Sequence, residues 1–556
     1  MSPPPDSWPG STLANTLAAR LAGGALLVAC ASGTEPEGAL PVGRCADGRS
    51  LALLTSDTES SAAATVSAKV FSRLLLGPLP AGERNRLSDT LARRGDGAAL
   101  SRSLHELREG LRERLPRYAR AGGEPRGLVL DSVLALDEHS FYLEGWAVDR
   151  EAKIVRLEAV SPEGERVDLA APAFRFPLPH VSAHFGVVDP AEEARPGFLC
   201  FVELEGPSQI DGGWVVEMEN AQGECLEAHG PEVLRDRSAA RERVLADPAR
   251  TRLPDDELME SHVRPAIERL QEQAEAGAGI HLVEQFGVAP PKPDVSIVIP
   301  LYKRIDLVEE QLAQFVLDQY LSRQDILYVL DSPEDEDELL EMASRLHPLY
   351  EVPFRVAILK RNSGFANANN AGAQISRAGL LVLMNSDVLP DRPGWLEQMV
   401  AFYGSRDGIG ALGPKLLYED DSIQHAGIHF HRAEGQTVWQ DAHYFKGLHR
   451  DFPDANVPRV VPVVSGACMM IARELYDSMG GLHGGYVQGD YEDADICLRM
   501  MEAGSRNWYF PDAELYHLEA LSYSSSLRVP ANRYNAWLHT RTWGNRIEQL
   551  ENGAGI

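Results

Sequence analysis

The C-terminal half of this 556-residue chain reads as an α/β unit with a mostly parallel sheet, preceded by a β-sandwich and a small N-terminal α/β or α+β module. Three observations predict that order. After residue 294, apolar runs of strand length alternate with helical patterns. Between residues 127 and 235 the texture changes to short alternating runs separated by Gly, Pro, Asp and Asn. Pro290, Pro291 and Pro293 in VAPPKPD then exclude helix and favour a stiff extended linker ahead of the last unit. At roughly 100 to 200 residues per domain, the length allows three such units.

Residues 1–125 carry two strand-like runs, GALLVAC and SLALLTS, and a later helical pattern in LSRSLHELREGLRERLPRYARA, where Leu104, Leu107 and Leu111 recur at helical spacing. No functional motif stands out there. The segment LAGGALLVAC before Cys30 has the outline of a lipoprotein cleavage box. A single preceding basic residue, Arg20, with Asp6 and several prolines ahead, favours a buried strand instead. Residues 127–235 supply SFYLEGWAVD, KIVRLEAVS, GFLCFVELEG and GGWVVEMENAQGE, the alternation of antiparallel strands with one face buried. Residues 236–293 form a connector. Its helix, roughly 255–276, places Leu258, Val263, Ile267 and Leu270 on one stripe, and Pro265 predicts a kink or the first turn of a second helix.

A net charge of -29 argues against binding a phosphate backbone, so no nucleic-acid partner is expected. Six cysteines without a CxxC pair indicate neither a zinc site nor a disulfide framework, and fit reduced cytosolic thiols. No apolar run approaches the roughly 18 to 20 residues of a spanning helix. A cytoplasmic protein is expected, with any membrane association peripheral and at the inner face.

In the last unit, residues 294–556, the strands VSIVIPL, ILYVLD, FRVAILK and LLVLMNSD alternate with helices through LVEEQLAQFVLDQY, DELLEMASRL and NANNAGAQIS. Right-handed crossovers place ligands at the carboxyl ends of such strands. Pro300, Tyr302 and Lys303 fall at the first end, Asp331 at the second, Asn362 after the third, and Asn385, Ser386 and Asp387 at the fourth. Taken singly these are turn or cap residues; converging on one edge, they describe a nucleotide site. Later come GDYEDADICLR, with Glu492 and Asp493, and LYHLE, with His517.

This ordered set resembles the family-2 glycosyltransferases, inverting enzymes of the Rossmann-like GT-A fold that use nucleotide sugars, over residues 294 to about 525. The resemblance implies that Asp331 contacts the base, that Pro300 to Tyr302 line it, and that Asn362, Gly364, Phe365, Asn370 and Gly372 lie near the nucleotide. The usual Asp-x-Asp metal motif reads NSD here, with Asn385 in place of the first acid and Ser386 between. Asp387 is then the first metal ligand and His517 the residue that completes the site, for manganese or magnesium. The acid-base segment assigns the catalytic base to Asp493, with Glu492 and Asp495 as adjacent alternatives, and gives Asp495 and Arg499 to bracing the helix. His425, Gly427, Ser465 and Gly466 border the acceptor side, and Cys468 is packing.

The function implied is inverting, metal-dependent transfer of a sugar from a UDP- or dTDP-sugar to a hydroxyl of a glycan or glycoconjugate, in cell-surface polysaccharide biosynthesis. The alternative is a non-catalytic glycan-binding or scaffolding protein with a degenerate transferase domain. In either case Tyr142, Trp146 or Trp214 of the sandwich are stacking platforms for sugar or plain core aromatics. The segment 429–459 and the tail LRVPANRYNAWLHTRTW shape the acceptor site or are local packing. A nucleotidyltransferase would want a glycine-rich basic loop after the first strand, and LYKRIDL has no glycine.

Overall fold

The computed structural model describes residues 126–186, 195–208, 213–250, 256–276, 279–518 and 525–553, and the backbone of five short strands before them. Those five, Leu17–Arg20, Leu26–Cys30, Leu40–Arg44, Ser50–Leu54 and Ala64–Val66, form one sheet. The two strands read from the sequence, in GALLVAC and SLALLTS, are antiparallel neighbours in it. The helix expected around Leu104 to Leu111 lies outside the described residues.

Two four-stranded antiparallel sheets follow. One joins Arg126–Ala135, Ser140–Asp149, Phe174–Phe176 and Gly197–Glu203; the other joins Ile154–Val160, Arg166–Asp168, Val215–Asn220 and Cys225–His229. They share a core that includes Phe141, Phe198, Trp214 and Met218, with the Phe141 and Trp214 rings 5.0 Å apart. Tyr142, Trp146 and Trp214 are all buried, so none offers a stacking face to a sugar, and their area stabilises the module instead.

The connector is a helix, Arg237–Arg250, followed by Asp256–Leu258, a π-turn Met259–Val263 and the helix Arg264–Ala276. Pro265 falls in the first turn of the second helix, Arg264–Ala276, as one of the two expectations had it. Its missing N–H is absorbed by the wider turn just before it, in which the Arg264 N–H donates to Met259 O. One hydrophobic core then unites the parts. Tyr142 and Leu199 of the sheets, Leu258 and Ile267 of the connector, and Tyr486 and Tyr534 of the C-terminal unit pack in a single cluster.

The last unit is built on a mixed sheet, whose main path runs Ile280–Phe286, Phe354–Leu359, Asp325–Leu330, Val295–Leu301, Leu380–Met384, Cys468–Ala472, Ile409–Leu417, Arg506–His517, Val388–Pro390. The expected parallel pairing holds for the four strands from 295 to 384, joined by the helices Leu307–Phe315, Glu336–Tyr350 and Phe365–Gln374. It fails on both sides of them. Ile280–Phe286 is antiparallel to its neighbour, and Cys468–Ala472 runs antiparallel between Leu380–Met384 and Ile409–Leu417. Parallel pairing needs a crossover for every strand, and strands that enter from an edge or a long loop do not have one. Beneath the parallel strands Arg355 donates to both oxygens of Asp325, at 2.9 and 2.7 Å, and Ser296 Oγ donates to Asp325 Oδ2 at 2.7 Å, all buried. A paired and hydrogen-bonded charge is the form in which burial is tolerated.

Candidate active site

A cavity of about 550 Å³ opens at the carboxyl ends of the parallel strands. On its donor side the Asp331 N–H donates to Leu301 O at 2.8 Å, so the ladder between the first two strands continues to the cavity edge and fixes Asp331 there. Lys303 turns the first strand away with φ of 62°, and its N–H donates to Ser332 Oγ at 3.1 Å. The Asp331 carboxylate accepts from Ser363 N–H at 2.6 Å and Gly364 N–H at 2.9 Å. Burial still outweighs those bonds and pushes its pKa up to about 7. Gly364, at φ of 88°, makes the turn into the helix Phe365–Gln374 that only glycine adopts readily. Pro300, Tyr302, Asn362, Gly364 and Phe365 all line the cavity.

Asn370 does not. Its amide donates to Leu482 O at 2.9 Å, while its oxygen accepts from Leu482 N–H at 2.9 Å and Tyr476 Oη at 2.5 Å, so it pins the 476–482 segment to the helix. Gly372 does not line the cavity either. A Cβ there would sit 2.4 Å from Val298 Cγ1, so its smallness serves close packing of helix on sheet.

Further along the strand ends stand Asn385, Ser386, Asp387 and His517. Antiparallel pairing sets Val388 against His517, which brings His517 Nε2 within 3.4 Å of Asp387 Oδ1. Gln424 fixes the imidazole. Its Oε1 accepts from His517 Nδ1 at 2.6 Å and its amide donates to His517 O at 3.2 Å. With Nδ1 committed to Gln424, Nε2 is the ring nitrogen that faces Asp387, the orientation that second-shell partners give metal-binding histidines. Asn385 Oδ1 is buried without a hydrogen-bond partner. A carboxylate and a neutral imidazole nitrogen suit manganese or magnesium when phosphate oxygens and water fill the remaining positions. No group of three or more His, Cys, Asp or Glu that could hold a metal occurs among the described residues, so a cation here would rest on this pair and on ligands from outside the protein.

The helix Glu492–Glu502 starts from a sharp turn, with Tyr491 at φ of 77°, and its first turn delivers the acids. Asp493 accepts from Gly466 N–H at 2.8 Å and Ala494 N–H at 2.8 Å; burial pushes its pKa up to about 6. Glu492 is only 2 % exposed, and burial raises its pKa well above the carboxylate range. Asp495 turns inward, paired with Arg499 at 2.7 Å and accepting from Trp543 Nε1 at 2.9 Å. Arg499 also donates to Met479 O and Gly481 O, so both brace the helix. The loop 465–467 ties the two walls. Asn385 N–H donates to Ala467 O at 2.9 Å, one residue from the Gly466 N–H that holds Asp493. Ser465 and Gly466 line the cavity, whereas Gly427, at φ of 95°, packs on Val461. Cys468 is a buried core thiol with its pKa raised by burial, as packing requires.

His425 lies behind the wall, and sequence reasoning missed its partner, His443. His425 Nε2 accepts from Gly427 N–H and Ser465 N–H, each at 3.3 Å. Its proton therefore sits on Nδ1 and is donated to His443 Nδ1 at 3.0 Å, which leaves His443 presenting Nε2–H from the cavity lining. Burial lowers the pKa of His443 to about 4, keeping the ring neutral. Asp441, Asp490, Gln424 and Arg241 are further lining residues without a local sequence signal. Asp441 sits two residues from His443 within the segment 429–459, which therefore does reach the cavity.

Residues 291–540 match the family model described as glycosyltransferase like family 2. This region is a glycosyltransferase family 2-like domain built on the mixed α/β sheet described above. Among curated proteins, the chain is 32% identical over 233 residues to the uncharacterized protein y4gI of Sinorhizobium fredii (strain NBRC 101917 / NGR234), covering 41% of this chain and 25% of that one. It is 23% identical over 260 residues to the O-antigen biosynthesis protein RfbC of Myxococcus xanthus, covering 45% and 19%. The chain thus spans a quarter or less of the length of these relatives. Among solved structures, it is similar to the mannosyltransferase PcManGT from Pyrobaculum calidifontis in complex with GDP-Man and Mn2+, at 15% identity and a TM-score of 0.33, covering 53% of this chain and 73% of that one. It is likewise similar to GalNAc-T7 with UDP, GalNAc and Mn2+, at 16% identity and a TM-score of 0.36, covering 47% and 49%.

Proposed function

We propose that the chain transfers a sugar, with inversion, from a UDP- or dTDP-linked donor to a hydroxyl of a glycan or glycoconjugate, in the assembly of a cell-surface polysaccharide. The observation that carries this reading is the coupling of Asp387–His517 to Asp493 through one short loop, which joins a diphosphate-side metal pair to a carboxylate of raised pKa in a single cavity.

Asp493 is the base. At neutral pH a carboxyl with a pKa of about 6 is mostly ionised yet basic enough to take a proton. It accepts the acceptor hydroxyl proton as that oxygen forms its bond to the anomeric carbon; the bond from that carbon to the diphosphate breaks on the opposite face, and the nucleoside diphosphate leaves with the electron pair. Burial raises the Glu492 pKa well above the carboxylate range and disfavours its ionised form, which leaves Asp493 the better base. Asp387 and His517 Nε2 would hold a divalent cation, which would supply charge neutralisation for the departing diphosphate. Asn362, Gly364, Asn385 and Ser386 line the nucleotide path, with Asp331, Pro300 and Tyr302 at the base end. The two-sheet module of residues 127–235 acts as a support for the transferase domain through the shared core.

The test is nucleotide release from a panel of UDP-, dTDP- and GDP-sugars with manganese or magnesium and glycan acceptors. Release from one donor, abolished in both Asp493→Asn and Asp387→Ala, is the expected result. Nucleotide binding without turnover on any acceptor would instead support a glycan-binding or scaffolding role.

A further inference from the structure

The nucleotide end of the cavity is lined in part by a segment that precedes the family 2 domain. The helix Arg237–Arg250 is capped by Asp236, whose carboxylate accepts from Ala239 N–H at 2.7 Å, and buries Ala240, Val244 and Leu245 in the core shared with the sandwich. That packing turns Arg241 into the cavity that Tyr302 and Asp331 also line. Its neighbour Arg243 points elsewhere and donates to Glu144 at 2.5 Å. Arg241 has no hydrogen bond or ion pair among the described residues, and its Nε is buried without a partner. The carboxylate whose charge it feels is Asp331, whose two oxygens are already engaged by Ser363 and Gly364 N–H.

A guanidinium carries five donors in a rigid fork and stays charged, so a half-buried one with its Nε shut away from water and unpartnered is costly unless a ligand supplies acceptors. We infer that Arg241 is a specificity-determining residue of the donor site, donating to a ring carbonyl of the nucleobase. This rests on the donor reading above. With Asp331 able to accept from a ring N–H on its remaining lone pairs, the two residues match an edge that sets an N–H beside a C=O, as uracil, thymine and guanine do and adenine does not. The transferase domain and the connector are then one functional unit, and nucleobase choice is partly written outside the family segment.

The test is calorimetric binding of UDP, dTDP, GDP, ADP, uridine and inorganic diphosphate, with manganese, to the full chain. Wild type is compared with Arg241→Gln, Arg241→Lys and the control Arg243→Gln, each checked by thermal melting. The expected result is a roughly ten- to hundredfold loss for the preferred oxo-base nucleotide in Arg241→Gln, matched by its nucleoside, with a smaller loss in Arg241→Lys and none in Arg243→Gln. Diphosphate binding and weak ADP binding stay unchanged. Equal affinity of wild type and Arg241→Gln for UDP, dTDP and GDP overturns the inference while the donor reading stands. A loss that extends equally to ADP and diphosphate also overturns it, assigning Arg241 to phosphate. Should Arg241→Gln fail to fold, the decision falls to Arg241→Lys, which keeps the charge and loses the fork; unchanged base discrimination there overturns the inference. A wild type that binds no nucleoside diphosphate sinks the donor reading itself.

Discussion

The two walls of the cavity are made differently. The donor wall consists of strand ends whose backbone groups are already paired: Asp331 continues a parallel ladder, and Asp387 sits one residue before an antiparallel one. The acceptor wall consists of titratable side chains, the buried Glu492 and the half-buried Asp441, His443 and Asp493, with pKa values displaced by desolvation. A wall set by backbone holds position through the sheet; a wall set by desolvated acids holds a protonation state. Substitutions on the two should therefore fail in different currencies, geometry or affinity on one side and rate and pH on the other.

The largest expected effect is on the acceptor wall. Asp493→Asn should lower kcat by about a hundred- to ten-thousandfold, the usual worth of a general base, with donor nucleotide affinity unchanged by calorimetry. A parallel fall in nucleotide affinity would mean the two walls are not separable. Beneath the donor wall, Arg355→Met leaves Asp325 buried and unpaired, and should destabilise the fold by about 3–5 kcal/mol in urea titration. Loss of activity without that loss of stability would contradict the division. Gln424→Leu frees the His517 ring, and manganese affinity should weaken by about ten- to a hundredfold. The mildest test is pH. Because the base must be ionised, kcat should fall as pH drops through about 6, the raised value of Asp493, and this limb should vanish in Asp493→Asn measured on its residual rate. A limb persisting in that variant would move the titration to another group.

The donor wall was legible in the sequence because its signals are local. Strand, turn and polar end occur within a few residues, so Pro300, Tyr302, Asp331, Asn362, Gly364 and Asn385 to Asp387 all reach the cavity. Asn370 and Gly372 misled for the same reason. They share a helix with true lining residues, yet face the 476–482 segment and the sheet, a difference set by helix rotation. The antiparallel strands were missed because Cys468–Ala472 inserts between strands far from it in sequence. His443, Asp441 and Arg241 gave no signal, since each is brought in by tertiary packing.

The long C-terminal helix carries a consequence for how the molecule is made. Asn535 accepts from Val487 N–H at 2.9 Å and donates to Val487 O at 2.8 Å and Asp490 O at 3.0 Å, and Trp543 holds Asp495. The turn that delivers Glu492 and Asp493 is therefore clamped by residues translated some forty to fifty positions later. On the ribosome, the strand ends around Asp331 exist before the clamp does, so the turn that delivers Glu492 and Asp493 is fixed only once the helix Ser525–Glu551 has emerged.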